Sequence, residues 1–179
     1  MTAPKYRGRR IGFGGDDART GDDVRAFGRW VYLQVIADEM PDVLVSLGAV
    51  PGASAPDPAS LASWAARWHL TDDWCLAYAV ATWRAWRRWK GPRVWHDGDD
   101  GAGWLVADHA TPPALRPLRH GDHWRWLVRY QVGGQSCACI AAAAGTSSPV
   151  VHEAIRRAAD LIGLTRRPAL RGRPTRPVS

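Results

Sequence analysis

The chain contains no apolar run near the roughly 18 residues needed to span a membrane. Its opening residues lack the apolar core of a secretory signal. Cysteine is scarce as well: three residues, an odd number without framework spacing, which points to a reducing cytoplasm and away from a disulfide-stapled secreted domain. The glycines at 12, 14 and 15 are not followed by the Lys and hydroxyl of a phosphate-cradling loop, and no G-x-S-x-G elbow is present. The acids include scattered adjacent pairs, Asp16-Asp17, Asp22-Asp23, Asp72-Asp73 and Asp99-Asp100. Neighbouring acids on a helix point in different directions and do not gather around a metal. His120, His123, Cys137 and Cys139 offer four zinc-type ligands, but C-x-C is not the usual C-x₂₋₄-C. Residues two apart on a helix also diverge by about 200°. These absences predict no catalytic residue, no cofactor and no metal site. Cys137 or Cys139 is expected to be a small packed side chain.

What is present is a 179-residue chain with 46% hydrophobic and 23% charged residues, the balance of a globular protein. Eleven Trp against two Phe supply large, rigid packing units. Residues 1–21 read as a flexible basic arm, with Lys5, Arg7, Arg9 and Arg10 among glycines. Residues 22–110 read as a Trp-rich helical domain. Asp22 and Asp23 open its first helix, where acids suit the dipole; Val24, Phe27, Val31 and Val35 form a stripe that Trp30, Leu33 and Ile36 widen. Pro41 breaks this helix, and Asp42 to Leu47 form a short second piece. A loop over 50–59 precedes a helix from Leu61 to Leu70 carrying Trp64 and Trp68. Thr71-Asp72-Asp73 caps the next, which runs to about Trp89. It is apolar on nearly all sides, which predicts a central, buried element, and Arg84, Arg87, Arg88 and Lys90 suit its C-terminus. Val94-Trp95 and Trp104-Leu105-Val106 flank a turn-rich Asp97-Gly98-Asp99-Asp100-Gly101, which predicts a β-hairpin; calcium-loop spacing is absent. Residues 111–120, with Pro112, Pro113 and Pro117, form a linker and the expected domain boundary.

The most informative stretch is Ser136 to Gly163, SCACIAAAAGTSSPVVHEAIRRAADLIG. Ser136 can cap a helix, Cys137 to Ala144 continue it without a breaker, and Gly145 can take the positive φ that ends it. Ser147 or Ser148 can cap a second helix, with Pro149 in its first turn. Val151, Ala154, Ile155, Ala158 and Ile162 then recur at helical spacing, with His152, Glu153, Arg156 and Arg157 on the opposite side. With a preceding helix over Asp122 to Val132, in which Trp124, Leu127, Val128 and Val132 face inward, this stretch resembles the helix-turn-helix of bacterial DNA-binding proteins. Ile140, Ala141, Ala144, Gly145, Val151 and Ala154 carry the match. Thr146 departs from the usual aliphatic residue, and Cys139 from the acid that many relatives carry. In such motifs the second helix enters the major groove. The resemblance therefore implies that Ser147, Ser148, His152, Glu153 and Arg156 meet bases or phosphates, with Arg157 beside them. Arg125 and Arg129 lie off the inward face of the preceding helix, and either could reach a phosphate. Residues 121–164 form the expected DNA-binding unit.

Charge is distributed accordingly. From Gly121 to Ser179 there are nine Arg against two Asp and one Glu, so the C-terminal third holds most of the chain's net +7. Residues 165–179 read as a basic disordered tail containing Arg166 and Arg167. Its Arg171-Gly172-Arg173-Pro174 resembles the core of an AT-hook, which would place arginines in a narrow minor groove. Arginines there neutralise phosphates and release counterions. The expectation is a mainly α-helical, cytoplasmic protein that binds double-stranded DNA as a homodimer or larger assembly, with no membrane contact. It would serve as a transcription regulator or as a DNA-binding subunit of a mobile-element or phage system. The competing expectation is an interaction protein whose Trp-rich domain docks a larger protein assembly, the basic end binding nucleic acid without sequence preference.

Overall fold

The structure, a computed structural model, describes residues 21–89, 95 and 121–168. Among these residues there are seven helices and no strand. The expected arm, the linker and the end of the tail lie outside the described residues. So does the expected hairpin, except for Trp95, which is buried with its ring 6.5 Å from that of Trp64.

Local chemistry sets the helix boundaries. Helix α1 (Gly21–Glu39) stops before Pro41, which stands as N-cap of α2 (Asp42–Gly48). Helix α3 (Pro58–Trp68) begins three residues before the apolar pattern does. The reason is a cap: the Asp57 carboxylate accepts the Ser60 amide at 2.8 Å, and Pro58 occupies the first turn, where a missing N–H costs nothing. The Ser60 hydroxyl, and then its amide, hold the Asp57 carboxyl below its ordinary range. His69 ends α3 in the left-handed region at φ 54°, and the Leu70 amide closes back onto the Ala65 carbonyl at 2.9 Å. Helix α4 (Asp73–Trp89) departs from expectation. It is not buried all round but sinks one stripe, Cys75, Ala79, Thr82 and Trp83, while Ala77, Arg84, Arg87 and Arg88 are exposed. Its many small and aromatic residues made the pattern look symmetrical. In place of full burial, Arg87 lies over the Trp83 ring, 4.7 Å from its centre. Helices α5 (Gly121–Gln131), α6 (Cys137–Ala144) and α7 (Ser148–Ile162) complete the described chain.

Packing runs through α1. Helix α2 packs on α3 and α4, α7 packs on α5 and α6, and α1 touches α2, α5 and α7. Buried side chains from both sides of residues 96–120 form one continuous core. The tryptophans of α3 and α4 are anchored as well as buried. Ser46 Oγ accepts the indole N–H of Trp68 at 2.9 Å and of Trp64 at 3.2 Å, and Trp83 donates to the Val50 carbonyl at 2.9 Å.

The approach of α1 to α7 is close. A Cβ on Gly28 would sit 2.8 Å from Ile162 Cγ2. Next to it Arg29 Nε donates to the Ile162 carbonyl at 2.9 Å, and its guanidinium stands 4.9 Å from the Trp74 ring centre. Trp74 donates its indole N–H to the Gly163 carbonyl at 3.2 Å. Two α7 C-terminal carbonyls, which have no partner within their own helix, thus receive donors from α1 and α4. The Asp72 carboxylate, just before α4, faces the segment after α7. It accepts the Thr165 amide at 3.0 Å and the Thr165 hydroxyl at 2.6 Å.

At the centre sits Gln131, 1% exposed. Its Nε2 donates to the His69 carbonyl at 2.8 Å and the Thr165 carbonyl at 3.0 Å, and its Oε1 accepts the Arg167 amide at 2.9 Å. One side chain therefore joins the segments after α3 and after α7 to the end of α5.

Two substitutions test this packing. Gly28→Ala should lower stability by about 1–3 kcal/mol in chemical denaturation, the usual cost of overpacking. In an Ile162→Ala background, the same change should cost less, because the obstructing methyl is gone. Gln131→Leu leaves two carbonyls and an amide without their partner and should cost at least about 3 kcal/mol.

Candidate nucleic-acid interface

Helices α5, α6 and α7 form the candidate site. Trp124, Leu127 and Val128 of α5, with Val132 just beyond it, are buried, as their spacing predicts. Ser136 caps α6 by accepting the Cys139 amide at 3.2 Å. Gly145 ends α6 at φ 64°, and nothing lies within 4 Å of where its Cβ would be, so glycine is needed there for its backbone and not for space. The Thr146 amide returns to the Ala141 carbonyl at 3.0 Å, which tightens the turn. Ser147 is the N-cap of α7 by backbone, with φ −97° and ψ 148°, but its hydroxyl makes no capping bond. The Ser147 side chain is thus not consumed by the helix it begins. Ile140 and Ala141 of α6 are buried, together with Val151, Ala154, Ile155, Ala158, Ala159 and Ile162 of α7.

Of the two cysteines of α6, Cys137 is the packed one and lies against the core. Cys137 is half-buried, and burial pushes its thiol up. Cys139 is exposed. Cys75 is the fully packed one, also with its thiol raised by burial, which makes it unreactive. Among the described residues no group of three or more His, Cys, Asp or Glu is placed to hold a metal ion.

The nominated side chains of α7 lie together on its solvent arc. Ser147 before it, His152 and Arg157 are exposed, and Ser148, Glu153 and Arg156 half-exposed. Val150, at 51%, is one of two exposed large apolar side chains among the described residues. The charged residues engage one another. Arg156 binds Glu153 through Nε at 2.8 Å and a second nitrogen at 2.7 Å, and reaches Asp160 at 2.9 Å. Arg157 Nε donates to the same Glu153 at 2.7 Å. The hydrogen bonds from Arg156 and then Arg157 hold the Glu153 carboxyl down at about 2; the same contacts push the Arg156 guanidinium up.

Other arginines have partners within the protein. Arg125 and Arg129 pair with Glu39 of α1, at 3.2 and 3.0 Å. Arg167 is not part of a free tail. It is 7% exposed, donates to the Gln135 carbonyl at 2.6 Å, and stacks over Tyr130 at 4.4 Å, while the Tyr130 hydroxyl donates to its carbonyl at 3.2 Å. An arginine-rich composition gives no sign that one arginine is a structural plug. Arg166 is exposed, Ser148 is half-buried, and Arg171 and Arg173 lie outside the described residues. Among the described residues no helix is long and apolar enough to cross a membrane.

The ion-pair network gives a direct test. The folded-state pKa of Glu153 is depressed, so its stabilising contribution is present above the ordinary glutamate range and fades as pH falls through about 2. NMR titration of the Glu153 carboxyl at low salt should give a midpoint near 2. Arg156→Ala should move it toward the ordinary value of about 4.3, more than Arg157→Ala does.

Comparison of the chain with known protein families, with curated proteins and with solved structures found no match.

Proposed function

We propose that this protein binds double-stranded DNA with α6 and α7 acting as a helix-turn-helix, α7 lying in the major groove. The observation that carries the reading is the α6–Gly145–α7 pair: a capped first helix, a left-handed glycine, and a second helix packed on one side with its polar arc in solvent. Ser147, His152, Glu153, Arg156 and Arg157 supply donors and acceptors of the types that read base edges or hold phosphates. Arg166, with Arg171 and Arg173 further along the sequence, adds backbone charge. A single reading helix covers few base pairs, so the binding form is a homodimer or larger assembly. The role that fits is a transcription regulator or a DNA-binding subunit of a mobile-element or phage system.

Selection from random duplexes at physiological salt tests this reading, with a truncation ending at Pro168 run in parallel. Both chains should enrich the same site, and a palindromic site would be that of a dimer. Arg156→Ala should weaken that site by roughly five- to 150-fold, the equivalent of about 1–3 kcal/mol for a base-contacting arginine. Binding without enrichment, abolished by truncation, would remove α7 as the reader and leave a basic tail on a Trp-rich interaction domain.

A further inference from the structure

Resting on the DNA-binding reading above, we infer that Glu153 is a specificity-determining residue: it neutralises Arg156 and Arg157 in the free protein and so suppresses binding to DNA of the wrong sequence. The argument begins with charge. Helix α7 carries two arginines, one glutamate and one aspartate, so with His152 neutral it has no net charge. This neutrality is local as well as formal. Glu153 accepts three hydrogen bonds from the two guanidiniums, at 2.8, 2.7 and 2.7 Å, and Asp160 takes another Arg156 nitrogen at 2.9 Å. All four side chains are substantially exposed, between 42% and 68%.

Sequence-blind affinity comes from phosphates displacing counterions, and it scales with the number of phosphates neutralised. A helix whose arginines already hold carboxylates offers little of this. It also brings two negative charges toward the phosphates, at a cost that every DNA sequence exacts. Exposed ion pairs at helical spacing are individually weak, so they can open where something better is offered. A guanine edge binding arginine in two places is such a partner, and a cytosine amino group is one for the released Glu153. The correct sequence can thus exchange the network for base contacts, whereas a wrong one cannot. The residue improves discrimination by weakening the wrong complexes.

The test is Glu153→Gln in the full chain, an isosteric change on an exposed face. Binding is measured from 50 to 300 mM salt to a random-sequence duplex and to the site enriched by selection. The variant should bind the random duplex more tightly, by about eightfold at 0.1 M salt for each phosphate newly neutralised, and its log–log salt slope should steepen by about 0.9 per phosphate. Preference for the enriched site should shrink accordingly, and adding Arg156→Ala and Arg157→Ala should cancel the gain. If Glu153→Gln leaves random-duplex affinity and slope unchanged, the inference is overturned while the DNA-binding reading stands, whether or not the enriched site weakens. If the wild-type chain binds no duplex even at 50 mM salt, the DNA-binding reading itself fails. Thermal melting of each variant verifies that the fold is retained.

Discussion

The buried amide of Gln131 is the constraint on which the rest of the arrangement depends. Its two donated hydrogen bonds and one accepted bond reach the carbonyl of His69, the carbonyl of Thr165 and the amide of Arg167. Apolar side chains attract without direction, and a core made of them alone would let these segments slide. A buried amide tolerates little displacement, because an unpaired polar group inside the protein is costly. Gln131 therefore fixes where the chain runs after α3 and after α7 relative to α5. The left-handed His69 follows from the same demand, since its backbone must turn its carbonyl toward Gln131 while ending α3.

The partners around this amide determine what α7 can present. Its C-terminal end is held by Arg29, Trp74 and the hydrogen bonds that Thr165 donates to Asp72. Its inner face is packed against α1, α5 and α6. Its outer arc carries weak, exchangeable ion pairs on a rigid support.

Much of this was legible in the sequence, and the parts that were not share a physical cause. Helices α5, α6 and α7 are announced by local signals: Ser136, Gly145, Pro149, Gly163 and a clean apolar period. Pro41 separates α1 from α2 just as plainly. These signals act over a few residues, which is the range that reading a pattern covers. Asp57 caps α3, yet in a loop rich in Pro and small residues the apolar period placed the start later. Nothing local pointed to the long-range partners of Gln131, Asp72, Glu39 and Arg167. Each is polar, each looks like surface, and each is defined by a partner 32 to 93 residues away. Among the candidate contacts, the periodicity placed His152, Glu153, Arg156 and Arg157 on one arc. It did not reveal that three of them bind one another, because spacing of three and four residues permits ion pairs without requiring them.

The Arg29 bond to Ile162 spans 133 residues, and Gly28 makes the contact there too close for any larger residue. During synthesis, α1 therefore emerges long before its partner. Tyr32, Leu33 and Ile36, each fully buried in the finished protein, belong to a helix whose contacts with α5 and α7 form only after about a hundred further residues are added. At ordinary elongation rates of about 5–20 residues per second, that interval lasts on the order of 5 to 20 s. A nascent chain halted before α7 would lack the partner of Gly28 and Arg29 and leave that part of α1 open, a natural contact for chaperones.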